Sequence, residues 1–255
     1  MFYNNPIYNF LLERQSSPEI IFIPENLWIG SPDDGKKIVD GFLSFYGEGV
    51  AFNKQVWKKN NASKSWNEEL FSFEWVKDVK ALGTNKARIF LRDNIREWMK
   101  FRNNWDSFTW RTDILAKRIS HLMSNMSFFY NTADEDFQKK FTKLLNKQSI
   151  HLLKIYKKKN QGDKKIFIAK AIILASLSFK NLSGKFQLGV NLLKEIIEDH
   201  ILEDGMHYLR SPSEQFIFLQ SLIDIKNFLG LSKIIIPKFL NEAIYRMSSV
   251  LKFFK

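Results

Sequence analysis

From about residue 65 onward, apolar residues recur at the 3.6-residue period of an amphipathic helix. In "SWNEELFSFEWVKDVKALG", Trp66, Leu70 and Phe73 form one stripe, and Phe71, Trp75, Val79 and Leu82 form its neighbour. The spacing predicts one helix with a wide apolar face, opened by a Ser65–Glu68 capping box and stopped at Gly83. A second pattern follows with Ala87, Leu91, Ile95 and Trp98.

Later patterns pair in the same way. Leu115, Ile119, Leu122, Met126 and Phe129 belong to one helix, and Phe137, Phe141, Leu144, Leu145, Leu152 and Ile155 to its partner. The polar, cap-rich joint "NTADED" separates them. A third pair takes 164–180, apolar nearly all round and so an inner helix, and 187–202. A fourth takes 212–228 and 237–251, with Pro212 and Pro237 in first-turn positions that lose nothing by lacking an N–H.

First helices thus begin near 65, 111, 164 and 212, a period of roughly 50 residues that suggests an array of helix pairs, open solenoid or closed ring. Residues 1–62 differ. There "EIIFIP" and "FLSFYGEGVAF" are expected as short strands or extended wrapping segments, and "GSPDDG" as a turn. The chain is therefore divided into a wrapping segment, 1–62, and a helical domain, 63–255.

Composition narrows the chemistry. The formal net charge of +12 favours an anionic partner: nucleic acid, acidic polysaccharide or a membrane surface. With no cysteine there is no disulfide, thiolate metal site or cysteine nucleophile. Neither H-E-x-x-H nor a Gly-rich phosphate loop is present, so no metal or other cofactor is expected. The 14-residue run "IFIAKAIILASLSF", interrupted by Lys170, is too short and charged to span a bilayer. Without a recognisable signal peptide the expected compartment is the cytoplasm, the periplasm remaining open.

Three stretches carry candidate side chains. "KIYKKKNQGDKK", 154–165, holds six lysines and is either a solvated connection or an anion-attracting patch; no nucleic-acid-binding motif accompanies it, which disfavours nucleic acid. In "WDSFTWRTDILAKR", Arg111 and Arg118 could clasp a carboxylate or sulfate with Trp110 as a sugar platform, or Arg111 and Asp113 could simply fasten a helix start. In "EDGMHYLRSPSEQ", His207 and Tyr208 are types suited to proton transfer beside a carboxylate that Arg210 could neutralise; the alternative is a buried, satisfied histidine. His121, His151 and His200 are read as core or boundary residues.

The ordered series "WNEELFSFEWVKDVKALGTNKAR", "WRTDILAKRI" and "ILEDGMHYLRSPSEQ" resembles the N-terminal α/α-toroid half of heparinase II/III-like proteins, over about residues 25 to 255. The resemblance implies a mainly α fold, an incomplete α/α toroid of about four antiparallel helix pairs behind a short extended or β segment. It also implies a scaffold for β-elimination of uronate-containing polysaccharides, in a groove between the toroid and a following β-sandwich. In the family pattern a tyrosine follows the Ser-Pro, where this chain has Glu214, and an Asn-His pair falls near Asp163 and Lys164, which match neither. Tyr208 is the substitute considered for the missing tyrosine. The expected partners are an acidic polysaccharide or oligosaccharide and a β-sandwich domain or chain, without which the toroid is expected to be inactive. The alternatives are a non-catalytic glycan-binding or scaffold module and, behind it, a nucleic-acid- or protein-binding helical repeat.

Overall fold

Ser63 opens the first helix of the ring by accepting a hydrogen bond from Trp66 N, so the cap lies two residues before the expected Ser65. The structure, a computed structural model, describes residues 3, 5–14, 18–58, 60–157 and 164–252. Residues 158–163, the middle of the lysine-rich run and Asp163 with it, lie outside the described residues.

Before Ser63 come α1 (Pro6–Arg14), α2 (Pro32–Val39) and the antiparallel strands β1 (Phe42–Phe45) and β2 (Glu48–Ala51). The turn expected at "GSPDDG" is instead a helix start. Ser31 caps α2 through Asp34 N, Pro32 takes the first turn, and Asp33 and Asp34 face the positive end of the helix. "FLSFYGEGVAF" forms the expected strands, joined at Tyr46 and Gly47, both at positive φ. "EIIFIP" is extended and bonds the end of an inner helix, with Ile21 N on Ser178 O at 2.9 Å and Lys180 N on Glu19 O at 3.1 Å.

The single helix expected over 65–82 is two, α3 (Lys64–Ser72) and α4 (Val76–Ala81). Phe73 breaks it in the left-handed region at φ 60. Its ring is fully buried and stacks on Trp57 at 5.4 Å and Trp75 at 5.6 Å. Aromatic packing here overrides helix continuation. Gly83 stops α4 as expected, at φ 65, where a Cβ would be strained.

The remaining helices are α5 (Asn85–Arg102), α6 (Thr112–Tyr130), α7 (Glu135–Ile155), α8 (Lys165–Ser178), α9 (Phe186–His200), α10 (Pro212–Leu231) and α11 (Lys238–Leu251). Helices α3 and α4, then α6, α8 and α10, lie side by side as an inner wall. Helices α5, α7, α9 and α11 back them from outside. This is the incomplete α/α toroid of about four helix pairs. The α8 helix is buried on every side from Ile168 to Ser178, which is why its sequence shows no polar face.

Candidate functional site

The inner wall encloses a cavity of about 520 Å³, lined by α3, α4, α6, α8 and α10 together with residues 26 and 28 and the β1–β2 turn. Few loops reach it. Its chemistry comes from polar side chains of α3, α4 and the break between them, joined by charged residues set into the apolar helices α6, α8 and α10.

On its floor, Lys170 of α8 binds Asp224 of α10 at 2.9 Å, with both side chains less than a tenth exposed. Trp28 Nε1 donates to the other carboxylate oxygen of Asp224 at 2.6 Å. The segment carrying Trp28 is held at both ends: Asn26 N donates to Ser124 O, and Ser31 N donates to Asp78 Oδ1. Between them, a Cβ on Gly30 would fall 2.3 Å from Lys77 O, so only glycine lets this segment reach α4.

On the wall, His121 of α6 has Nδ1 3.0 Å from the Ser72 carbonyl. A carbonyl only accepts, so Nδ1 carries the proton and Nε2 keeps its lone pair in the neutral ring. Burial pushes the His121 pKa down to about 4, against the opposing pull of Glu74. For Glu74, burial acts upward, but His121, Lys77 and Lys117 outweigh it and hold the carboxyl at about 2. Above pH 4 the imidazole is neutral, so Lys77, at 2.8 Å, and Lys117 are the cations that keep Glu74 ionised there. Lys117 also lies over the Phe167 ring and 3.6 Å from Glu69. Tyr46 O–H donates to Glu69 at 2.9 Å, and burial followed by that carboxylate pushes its pKa up to about 12.

None of the eight sequence candidates lines this cavity. Trp110 and Arg118 are in the core. Trp110 packs edge-on against His151 at 5.1 Å. Arg118 bonds Gln148 Oε1 at 3.0 Å, Thr109 O at 2.8 Å and Phe71 O at 3.2 Å, while burial weighs against its charge. Arg111 spends its fork on Asp113 and on Glu68 at 2.7 Å, and Lys164 joins Asp113 at 2.8 Å. These partners hold the Asp113 carboxyl well below the usual range, despite burial acting the other way. Here the helix-fastening alternative describes the contacts, and Glu68 serves Arg111 rather than a capping box.

His207, Tyr208, Arg210 and Glu214 stand apart from both groups, around the start of α10. His207 is 1% exposed, its ring 5.2 Å from Phe218 and 5.5 Å from His200. Gln215 clamps the segment: its Oε1 accepts from His207 N at 2.6 Å, and its Nε2 donates to Gly205 O and Met247 O. Arg210 pairs with Asp204 at 2.5 Å, and Tyr208 is 39% exposed. Glu214 is half-buried in the first turn of α10, where Ser211 caps its N–H.

Sequence reasoning passed over the cavity residues. His121 was read as core or boundary, and Lys170 only as an interruption. A signal existed: Lys170 and Asp224 are charges set inside largely apolar helices, 54 residues apart, close to the helix-pair period. Among the described residues, no group of three His, Asp or Glu side chains is placed to hold a metal ion.

A ring of helix pairs around a polar hollow defines the α/α-toroid class, and the comparisons sharpen it. The Heparinase II/III N-terminus model matches residues 45–249, so the chain belongs to the heparinase II/III family through that domain. Among solved structures, heparan sulfate lyase HepC from Pedobacter heparinus superposes with a TM-score of 0.69 at 16% identity, over 96% of this chain and 42% of that one. A heparinase III gives 0.64 at 16% identity, over 99% and 44%. At such identities the likeness concerns the fold. A curated relative, FtsZ-localized protein C of Caulobacter vibrioides, is 27% identical over 230 residues, 88% of this chain and 39% of that protein. The chain thus spans about two fifths of the length of the relatives it matches.

Proposed function

We propose that the cavity holds a segment of acidic, uronate-containing polysaccharide, this chain being the substrate-gripping toroid of a heparinase II/III-like protein. The observation that carries it is the lining itself. Lys117, 3.6 Å from Glu69, and Lys77, paired with Glu74, are the cations that a carboxylate or sulfate would share with those side chains, Trp28, Phe45 and Phe167 offer ring faces, and His121 offers an acceptor nitrogen.

Elimination needs more than a grip. A base must take the proton beside the uronate carboxylate, a cation or donor must neutralise that carboxylate, and an acid must protonate the leaving oxygen. His121 Nε2 suits the first task and Lys117 or Lys77 the second. For the third, Tyr46 is engaged by Glu69 and Lys170 by Asp224. We therefore assign binding to this chain, and turnover only when further groups complete the site. Titration calorimetry and absorbance of new unsaturated ends, on one panel of uronate polymers, test both halves. Salt-sensitive binding without cleavage is expected. No binding to any uronate polymer at low salt overturns the proposal, and cleavage by this chain alone overturns its non-catalytic half.

A second reading, a scaffold that acts beside FtsZ, draws on the 27% identity to FtsZ-localized protein C, which exceeds that to the solved lyases. Co-sedimentation with FtsZ polymers tests it: pelleting with the polymers supports the scaffold, and its absence removes it.

A further inference from the structure

We propose that the α4 side of the cavity is a subsite for a primary ammonium, so that the uronate held there is joined to an amino sugar whose nitrogen is unsubstituted. The assignment rests on the polysaccharide reading above and narrows its substrate class.

The charge of the hollow runs against that of the chain. The whole sequence carries +12, yet the cavity lining holds four carboxylates and three ammonium groups. Each of those cations is already answered, Lys170 by Asp224 at 2.9 Å, Lys77 by Glu74 at 2.8 Å and Lys117 by Glu69 at 3.6 Å. His121 is neutral above about pH 4 and adds none. Asp78 is the carboxylate left over. Its Oδ1 accepts from Ser31 N at 2.8 Å, and among the described residues it has no ion pair. Burial pushes its pKa up, as expected of a carboxylate short of a cation.

Glu74 and Asp78 lie four residues apart on a helical stretch, where Lys77 N bonds Glu74 O and Asp78 N bonds Trp75 O. That spacing sets both on one side, and both line the hollow. Glu74 spends Oε1 on Lys77, so Glu74 Oε2 and Asp78 Oδ2 keep open lone pairs. Beside them His121 Nε2 meets no donor among the described residues, since the ring's one bond is made through Nδ1. Open acceptors therefore gather on this side, two of them charged. A free divalent ion would need three such ligands together, and no such group is found among the described residues. An ammonium carried by the ligand brings three N–H donors and a full charge, whereas an N-acetyl group brings one N–H and none. Lys117, on α6, is left for the carboxylate of the neighbouring uronate.

The test is titration calorimetry of the full chain with a polymer of alternating glucuronate and N-acetylglucosamine, before and after partial chemical N-deacetylation. The deacetylated polymer should bind about tenfold more tightly, the worth of one charge-assisted contact. Deacetylation lowers the polymer's net negative charge, so general attraction to a chain of +12 would move affinity the other way. The preference should fade as pH rises past about 8, where an amine beside electron-withdrawing groups loses its proton while carboxylates stay charged. Glu74→Gln with Asp78→Asn should close the gap between the two polymers, and the pH series on the unaltered chain needs no variant to fold. Equal affinities at neutral pH, or a preference that persists at about pH 9.5 or in the folded double variant, overturns the amino-sugar subsite and leaves the uronate reading in place. Failure of both polymers to bind removes the reading and the subsite together.

Discussion

The segment 203–215 and the floor of the cavity both place polar groups between apolar helices, yet they use them in opposite ways. In the segment, polar groups answer one another. Gln215 satisfies His207 N, Gly205 O and Met247 O, and Arg210 satisfies Asp204. At the cavity, Lys170, Asp224 and Trp28 also pair among themselves, but beside them Lys117, His121 and Glu74 line open volume. A polar segment in a sequence marks a place where the chain must turn. A buried charge in an apolar helix marks a place where the fold has put a hollow or a partner.

Breaking the floor should give the largest effect. Lys170→Met leaves Asp224 buried without its cation and should cost about 3–5 kcal/mol in urea unfolding. Adding Asp224→Leu should restore much of the loss, because a buried pair replaced by apolar residues is often neutral. A single variant as stable as the parent would show that the pair is not the floor's structural tie. Gln215→Ala comes next, at about 2–3 kcal/mol, from leaving His207 N and two carbonyls unmet; glycan binding should persist in the folded fraction.

Smaller effects separate grip from stability. Lys117→Ala should lower affinity for a uronate polymer about tenfold, the worth of one desolvated charge-assisted contact, with little change in urea midpoint. Equal affinity in calorimetry would remove Lys117 from the site. Acidification offers a subtler probe. His121 takes its proton in the unfolded chain near pH 6.5 but in the fold only near 4. Its contribution is therefore present above pH 6.5 and is lost as pH falls toward 4. Glu74, at about 2 against 4.5, adds a loss in the same direction below about pH 4.5. His121→Asn should flatten the stability profile between pH 6.5 and 4; an unchanged slope there would contradict the buried neutral imidazole. The smallest effect belongs to Arg210→Ala. Its exposed ion pair should leave both melting temperature and glycan affinity where they are, and a measurable fall in affinity would bring 203–215 into the site.

Most helices were legible because burial imposes a period. Leu91, Ile95 and Trp98 of α5 are fully buried, as their spacing requires, and α8 is inner because no polar side relieves its apolar surface. The break at Phe73 was not legible. Its heptad-like neighbours favour helix continuation, while the aromatic cluster with Trp57, supplied from before the ring, and Trp75 favours the left-handed turn. The helix start at Ser31 was hidden for a similar reason, since "GSPDDG" serves a turn and a helix cap with the same letters.

The sequence by itself determined the helix pairs, their order and their near-50-residue period, because amphipathic periodicity is written in neighbouring residues. It also determined the positive charge and the absence of thiol chemistry. Which polar residues share a space was decided only by the tertiary structure. Asn26 and Trp28 come from the segment ahead of α2, Tyr46 from a hairpin turn, Glu74 from the break between α3 and α4, and His121, Lys170 and Asp224 from three helices of one curved wall. Curvature is a property of how helices pack against one another, and no local pattern along the chain encodes which side chains that wall will turn toward one hollow.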